Sequence, residues 1–344
     1  MHKRHLLTLF FATACVLSAH ALPLRFRPDG SFKIVQFTDT HIRTQLPEQA
    51  RAVYELMDQV IRTEQPDLVV LTGDNVTCNP AAPEIAQLTR FLDAYAIPWI
   101  AVFGNHDEQQ ELTRAQMSAL YAAGKYSLNR LDGSGVLADL ELPVLGDEGK
   151  PAFYVFCMDS HSYSTALGEE CYDWFTDAQV QWMKTCCAAR TTPDGRVAPA
   201  LAFFHIPLLE YEQAWERGQG RLGLRGEHEC YGGLNSGMFA AMRLGGSVMG
   251  MSVGHDHNND YLAVLHGIAL CYGRFSGSDT VYNHLPPGAR VFLVREGVSG
   301  FETWIRENSG RVVFHTRFDG QKLQNAPRDR REPYGVWTDI PAQE

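Results

Sequence analysis

Residues 99–107 read Trp-Ile-Ala-Val-Phe-Gly-Asn-His-Asp, so a short apolar run ends abruptly in a polar turn. The apolar half, Trp99–Phe103, has the length and composition of a buried strand. Gly104 lets the chain turn sharply, and an amide, an imidazole and a carboxylate then follow one another at 105–107. These groups can bind a metal or move a proton, so the end of this strand is a candidate site.

The same pattern of a strand followed by a polar turn recurs four more times along the chain. The other predicted strands are Lys33–Phe37, Leu68–Leu71, Ala200–His205 and Val248–Val253. The polar residues at their ends are Asp39 and His41, Asp74, His205, and His255 and His257. In α/β sheets, ligands bind beyond the carboxyl ends of strands, so we expect these side chains to meet at one edge. Residues i and i+2 of an extended segment project to the same side, which lets Asp39 and His41 reach one centre.

Helical patterns separate these strands. Pro47 stands where a helix can begin, and apolar residues from Val53 to Ile61 share one face after it. A second helical pattern covers about Glu84–Tyr95. Further strands are predicted at Ala152–Met158 and, as a C-terminal meander, at Val291–Arg295, Phe301–Ile305 and Val312–Arg317. Because no Pro/Ser-rich linker interrupts the chain, we predict one α/β domain over residues 22–344, closed by C-terminal strands at about 290–344.

The first 21 residues have the composition of a secretory signal peptide. A basic start that includes Lys3 and Arg4 precedes a mostly apolar run from Leu6 to Ala19. That run is short for a membrane span, and Ala19-His20-Ala21 has the small-x-small form of a cleavage site. We therefore predict cleavage after Ala21, no membrane anchor afterwards, and a secreted or periplasmic location.

The net charge and the cysteine pattern argue against several classes of function. The chain of 344 residues carries 40 acidic and 30 basic side chains, a net charge of −10, which argues against a nucleic-acid partner. Loss of Lys3 and Arg4 with the signal peptide would take this charge to −12. Eight cysteines are present without any C-x-x-C, so a zinc ribbon or a thioredoxin-type site is not indicated.

Together, the five motifs resemble those of the calcineurin-like metallophosphoesterase superfamily. The series is Asp-x-His, Gly-Asp, Gly-Asn-His-Asp, a His at a strand end, and Gly-His-x-His. Thr72-Gly73-Asp74-Asn75, Phe203–Leu208 and Gly254–Asp260 look closest to its purple-acid-phosphatase-like branch, which includes fungal Dcr2-like phosphatases. The resemblance runs from about Leu24 to Arg290. It implies a four-layer αββα sandwich, in which two mixed β-sheets are flanked by helices and a dinuclear metal site lies at the strand ends.

The resemblance also implies a role for each motif residue. Asp39, His41 and His257 would bind the first metal ion, Asn105, His205 and His255 the second, and Asp74 both. A hydroxide bridging the two ions would attack phosphorus, and His106 would assist the leaving group. Asp107, next in the chain, would orient His106, although capping of a turn explains an Asp there equally well. The ions would be iron, manganese or zinc, since Asp, Asn and His suit all three.

Two departures from true purple acid phosphatases stand out in this sequence. His41 occupies a position where those enzymes have Gly, and no Tyr follows Asp74 within Gly73–Cys78. The resemblance therefore implies a colourless or weakly coloured protein in which iron is optional.

Substrate contacts are less well marked. Asn105 and His106 would contact the phosphate ester, and two further candidates are Arg225 and His161. Arg225 follows the letters Gly218-x-Gly220-x-x-Gly223, which lack the preceding strand of a dinucleotide site and are predicted to form a flexible loop. A solvated arginine is the alternative for Arg225, and a surface turn is the alternative for His161.

The function expected from these residues is metal-dependent hydrolysis of phosphate esters. A phosphomonoesterase acting on phosphorylated small molecules, or on a phosphoprotein, is favoured, and a phosphodiesterase is the alternative within the same chemistry. A metal-binding scaffold without turnover is the alternative from another class. Its signature would be a lost ligand or a lost His106, and neither is lost.

Overall fold

The computed structural model describes residues 23–190, 197–278 and 281–324. Its strands are β1 (Ser31–Phe37), β2 (Leu68–Thr72), β3 (Trp99–Val102), β4 (Leu140–Leu145), β5 (Pro151–Cys157), β6 (Tyr163–Ser164), β7 (Cys171–Tyr172), β8 (Ala200–Phe203), β9 (Arg221–Leu222), β10 (Val248–Val253), β11 (Leu262–Leu265), β12 (Ile268–Tyr272), β13 (Gly288–Arg295), β14 (Phe301–Glu307), β15 (Val312–Phe318) and β16 (Leu323–Gln324). Its helices are α1 (Pro47–Glu64), α2 (Ala82–Asp93), α3 (Arg114–Ala122), α4 (Asp177–Ala189), α5 (Glu210–Arg217) and α6 (Met238–Gly245), with a short 3-10 turn at His106–Glu108.

Two mixed sheets stack face to face between layers of helices. The first has the strand order β16-β15-β14-β13-β1-β2-β3 and the second β4-β5-β8-β10-β12-β11-β9. In the first sheet β1, β2 and β3 are parallel, while β13 pairs antiparallel with the other side of β1. In the second, β5, β8, β10 and β12 are parallel. The predicted α/β class and αββα architecture are therefore confirmed.

The period-2 alternation of the strands distributes their side chains between layers. Along β1, Phe32 and Ile34 enter the core between the sheets, where they join Leu201 of β8. Val35 and Phe37 point the other way and pack with the helices that cover the first sheet. Both faces of these strands are buried, which explains why they read as continuous apolar runs.

Helix α1 begins at Pro47, as predicted, and its buried face contains Val53 and Ile61. Proline suits the first turn because the amide that it lacks would have no partner within the helix. The second predicted helix is observed at Ala82–Asp93, two residues earlier than expected at both ends.

The Gly-rich segment that was predicted to be a flexible loop contains a strand. Arg221 and Leu222 form β9, which pairs antiparallel with Ala263 and Leu262 of β11 at the edge of the second sheet. The prediction was wrong because this strand is only two residues long and its pairing is far away in sequence.

Several expectations concern the chain termini and the cysteines. The predicted signal peptide, residues 1–21, lies outside the described residues, as do residues 325–344 of the expected C-terminal meander. Within the described part of the chain, no helix is both long and apolar enough to cross a membrane. The cysteines of that part are free thiols, and most are buried, as expected for small apolar side chains.

A buried ion-pair network joins the C-terminal meander to the turn that follows β10. Nε of Arg274 donates to Oδ2 of Asp260 at 2.9 Å, and Nη1 of the same guanidinium lies 3.4 Å from Oε1 of Glu307 on β14. All three side chains are almost completely buried. Oδ1 of Asp260 also accepts the backbone N–H of Leu224 at 2.7 Å, which fixes the turn just after His257.

We expect Arg274→Ala to lower the free energy of unfolding by about 3–5 kcal/mol, because it leaves the Asp260 carboxylate buried without its cation. Replacing the exposed Arg317 on β15 by Ala is the control and should change the value by less than about 0.5 kcal/mol. Urea unfolding of both variants measures the difference. Equal midpoints for the two variants would contradict a stabilising role of the network.

Candidate metal centre

Five strand ends meet at one edge of the sandwich. β1, β2 and β3 are parallel neighbours in the first sheet, and β8 and β10 are parallel neighbours in the second. Backbone hydrogen bonds connect their turns, from the N–H of Asp39 to the carbonyl of Gly73 (3.1 Å) and from the N–H of Gly254 to the carbonyl of His205 (3.1 Å). The side chains at these turns are therefore brought together.

A first group of potential ligands is formed by Asp39, His41, Asp74 and His257, all of them buried. One ligand atom from each lies within 4.8 Å of the others. Nε2 of His257 is 3.6 Å from Oδ1 of Asp39, and Nε2 of His41 is 3.6 Å from Oδ2 of Asp74. Nδ1 of His257 donates to the carbonyl oxygen of Tyr282 at 2.8 Å, so the ring is held with Nε2 facing the group.

A second group is centred on Nε2 of His205. This atom lies 3.1 Å from Oδ1 of Asn105, 3.3 Å from Oδ2 of Asp74 and 3.3 Å from Nδ1 of His255. Nδ1 of His205 faces the carbonyl oxygen of Thr72 at 2.7 Å and must donate to it, which leaves Nε2 without its proton in the neutral ring. Because Asp74 belongs to both groups, its carboxylate lies between them.

The backbone is strained at the residues of these groups. Asp39 (φ 53°), His41 (φ 41°), Asp74 (φ 51°) and His255 (φ 77°) all adopt the left-handed region. For residues other than glycine this conformation costs on the order of 1 kcal/mol each, and it persists where the surrounding structure holds it in place. Such strain concentrated on one set of side chains is typical of a functional site.

The absence of a side chain at two glycines makes room for the ligand groups. A Cβ at Gly104 would collide with the carboxylate of Asp74 and the ring of His205. A Cβ at Gly254 would collide with the hydroxyl of Thr38 and the carboxylate of Asp39. Any larger residue at either position would displace a potential ligand.

The donor set fits a pair of metal ions. It combines imidazole nitrogens with carboxylate and amide oxygens and contains no thiolate, a combination that zinc, manganese and iron all accept. Two nitrogens, Nε2 of His205 and Nδ1 of His255, face each other at 3.3 Å, as they would on either side of a shared ligand position. The residues therefore can hold two ions, one in each group, with the Asp74 carboxylate between them.

Electrostatics separate the histidines into two kinds. Burial lowers the pKa of His41 and of His255 to about 3, so both rings are neutral at pH 7. Burial also opposes charge on His205, but the negative charge of Asp74 outweighs it and raises the pKa of His205 to about 10. In the metal-free centre His205 therefore carries an additional proton on Nε2, and its positive charge partly neutralises the buried carboxylates.

His106 stands beside the first group, half-buried. Its backbone N–H donates to Oδ1 of Asp74 at 2.8 Å, and its ring centroid is 5.5 Å from that of His41. Its Nδ1 lies 2.7 Å from Oε1 of Gln109. The ring is thus next to the potential ligands and is oriented by an amide oxygen.

The structure corrects the role expected for Asp107. Its Oδ1 accepts the backbone N–H groups of Asn75 (3.0 Å) and Val76 (3.3 Å), and its Oδ2 accepts that of Gly104 (2.8 Å). Among the described residues, no hydrogen bond joins this carboxylate to the His106 ring. Asp107 therefore caps the turns after β2 and β3, and it reaches the centre only through their backbone.

The two additional substrate candidates lie outside both groups. Arg225 is buried, and its guanidinium is paired with Glu229 (3.0 and 2.7 Å) and Glu216 (3.2 Å), so its charge is already balanced. The structure therefore gives no support to Arg225 as a phosphate clamp. Nε2 of His161 lies 2.8 Å from Oε1 of Gln179 on α4. This ring nitrogen is therefore engaged with a helix rather than with either ligand group.

Aromatic side chains around the centre were not predicted from the sequence. The ring of Tyr172 meets that of His255 at 4.4 Å between centroids and 90° between planes. The ring of Tyr282 stacks on His257 at 4.5 Å and 24°. Neither tyrosine is near a motif in sequence, and no periodicity distinguishes them. Gln109 was also missed, although it lies three residues after His106, the spacing of one helical turn.

Comparisons with known proteins agree with this geometry. The model of the family described as calcineurin-like phosphoesterase matches residues 32–259, which include every residue of the two groups. The chain is 32% identical over 309 residues to "Probable inactive purple acid phosphatase 29" of Arabidopsis thaliana, covering 78% of this chain and 79% of that protein. It is 28% identical over 342 residues to "Phosphatase DCR2" of Saccharomyces cerevisiae, covering 88% of this chain and 58% of that protein.

A solved structure has the same fold. The crystal structure of a dimetal phosphatase from Danio rerio superposes with a TM-score of 0.61 and covers 84% of this chain and 99% of its own. Its sequence identity is 14%, so the likeness concerns the architecture alone.

The proton on His205 predicts how metal affinity depends on pH. A metal ion must displace this proton, because only the neutral imidazole is a ligand. Between about pH 6 and 9, below the pKa of His205 of about 10, affinity for the second ion should rise about tenfold per pH unit, with about one proton released per ion. Titration of the metal-free protein with Zn²⁺ in buffers of different ionisation enthalpy measures that proton. Affinity that does not change with pH would contradict a protonated His205.

Proposed function

The chain belongs to the calcineurin-like phosphoesterase family, and we propose that it is a phosphomonoesterase that depends on two metal ions. The observation that carries the proposal is the pair of ligand groups that share the carboxylate of Asp74 at the ends of five strands. A substrate that bound there would meet two adjacent ligand positions and the half-buried His106.

Each group would hold one ion. Asp39, His41 and His257 would bind the first and Asn105, His205 and His255 the second, with Asp74 in contact with both. When bound, two such ions supply positive charge that polarises a phosphoryl group and lowers the pKa of water.

The protein side chains would orient the ester and handle its protons. His106 is the residue placed to give a proton to the leaving oxygen, because its ring borders the centre and Gln109 holds Nδ1, so that the proton would leave from Nε2 of the doubly protonated ring. Asn105 would serve as a ligand through its uncharged amide oxygen, so it adds no negative charge beside Asp74. Residues 105–107 thus combine a ligand, a proton donor and a cap in one turn.

The names of the relatives favour a phosphatase. One is called a phosphatase outright, and the plant relative is called an inactive purple acid phosphatase. The word "inactive" describes that protein. In this chain every motif position is occupied by a residue able to serve as a ligand, and these residues lie together, which supports turnover over a metal-binding scaffold.

One observation favours the second candidate, a phosphodiesterase. Arg114 and Arg225, on segments that flank the centre, are each paired with two carboxylates, so neither offers a free charge to a phosphate. A monoester dianion carries more charge than a diester and gains more from such a cation. The choice between the two therefore rests on kinetics.

We expect the metal-loaded protein to hydrolyse a nitrophenyl phosphate monoester at least about tenfold more efficiently than the bis-nitrophenyl diester, a difference of about 1.4 kcal/mol in transition-state stabilisation. Asp74→Asn replaces the shared carboxylate by a neutral amide and should reduce both the activity and the bound metal, whereas the exposed Asp147→Asn is the control and should change neither.

A ratio below one would replace the proposal by the phosphodiesterase. Two bound ions without turnover of either ester, measured by elemental analysis of the same sample, would support the scaffold instead.

We also propose that the protein acts outside the cytoplasm, on phosphorylated small molecules. The support is the sequence of residues 1–21, with its basic start, apolar run and Ala19-His20-Ala21 site. Expression in a bacterial host should give an exported chain whose first residue is Leu22, as intact mass and N-terminal sequencing would show. An uncleaved chain retained in the cytoplasm would contradict this.

A further inference from the structure

His106 and Asn105 are adjacent in sequence but have different roles in the proposed reaction. The imidazole would give a proton to the leaving oxygen, and the amide would bind the second metal ion. Each is held by a side chain outside the five motifs. Nδ1 of His106 is 2.7 Å from Oε1 of Gln109, and Nδ2 of Asn105 donates to the hydroxyl of Tyr163 at 2.7 Å. Each of the two motif residues therefore has a side-chain partner of its own.

Tyr163 holds the NH₂ end of the Asn105 amide. The NH₂ group donates to the phenol, so Oδ1 points the other way, toward Nε2 of His205 at 3.1 Å. A phenol can donate as well as accept, so the contact limits the movement of the amide, while the orientation with Oδ1 on the ligand side is the one a metal ion requires.

Gln109 has a comparable effect on His106. An amide oxygen only accepts, so Nδ1 of His106 is the donor in this contact, and a proton given to the leaving oxygen would come from Nε2 of the doubly protonated ring. Unlike a carboxylate, the amide adds no negative charge beside Asp74. Asp107 does not replace it, because its oxygens accept backbone N–H groups.

The phenol of Tyr163 is held in place by the β6–β7 hairpin. Its ring stacks on that of Tyr172 at 5.3 Å and 28°. The backbone of Tyr172 accepts the N–H of Gly233 at 2.8 Å, and the hydroxyl of Ser162 donates to the backbone carbonyl of Asn105 at 3.1 Å. The hairpin is thus attached both to the turn after β3 and to the segment that precedes α6.

We propose that Gln109 and Tyr163 are positioning residues, of which Gln109 holds the His106 imidazole and Tyr163 holds the Asn105 amide. The inference rests on the proposed phosphoesterase function, since that reaction is what the two positioned side chains would serve. Tyr163 acts through Asn105 on the second ligand group, and Gln109 acts through His106 on the leaving oxygen. Neither lies in the motifs that relate this chain to its family.

The contact with His106 makes a distinct kinetic prediction for Gln109. A misplaced proton donor slows the departure of a basic alkoxide far more than that of nitrophenolate, which needs no proton. Gln109→Ala should therefore lower kcat by about tenfold on an alkyl phosphate and by less than about twofold on the nitrophenyl ester. In a His106→Ala background the same substitution should have no further effect. Gln181→Ala on α4 removes an exposed glutamine elsewhere and is the matched control.

The prediction for Tyr163 has a readout that does not depend on turnover. Tyr163→Phe removes the acceptor for the Asn105 amide and should weaken binding of one Mn²⁺ ion to the metal-free protein by about tenfold, as followed by electron paramagnetic resonance. Tyr126→Phe, which removes a phenol from the segment that follows α3, is the control. Imidazole ¹⁵N shifts of histidine-labelled protein should place the His106 proton on Nδ1 in the wild type and show its loss from that position in Gln109→Ala.

The outcomes separate this inference from the proposed function. If the wild-type protein hydrolyses no phosphate ester, the function fails, and the Mn²⁺ and ¹⁵N measurements still decide whether Tyr163 and Gln109 position their partners. If the wild type is active but Gln109→Ala slows both esters equally, or still slows them without His106, Gln109 is not a positioning residue for His106. Unchanged Mn²⁺ affinity in Tyr163→Phe would overturn the role of Tyr163.

Discussion

The carboxylate of Asp74 is the constraint on which the rest of the structure depends. It is buried together with Asp39, and buried carboxylates are costly unless a cation or a proton is near. Imidazoles from both sheets surround them, and a proton on His205 supplies part of the balance. To bring these groups so close, the ends of β2 and β8 must meet and residues such as His41 must accept a left-handed backbone. The fold and the charge balance therefore stabilise each other.

The sequence was sufficient for the fold class and for the composition of the site, for local reasons. A buried strand such as Trp99–Val102 is a short apolar run, and the groups that follow it are adjacent in the chain. The turn at Gly104 admits little variation, because any side chain would displace Asp74. Helix α1 was predictable from Pro47 and from the spacing of its apolar face. In each case the deciding contacts lie within a few residues.

What the sequence could not show is the direction of a side chain within a turn and any pairing across the molecule. Asp107 is next to His106, yet the 3-10 turn directs it toward the backbone, while Gln109 turns back to the ring. The sequence left Arg225 available for a phosphate, but in the structure its guanidinium is paired with Glu229. Tyr163 comes from a hairpin that has no motif of its own. These contacts depend on where whole segments pack, which no local pattern encodes.

The position of β1 has a consequence for the order of assembly. This strand carries the first ligands, yet its antiparallel partner is β13, so that Ile34 lies beside Phe292. A pairing between such distant parts of the chain is slow to form, because a large loop must close first. During synthesis, the strand that leads to Asp39 has no neighbour on that side until residues 288–295 have been made. The strand that leads to Asp39 is thus paired on both sides only after residue 295 has been made, so the candidate ligands come together late in synthesis.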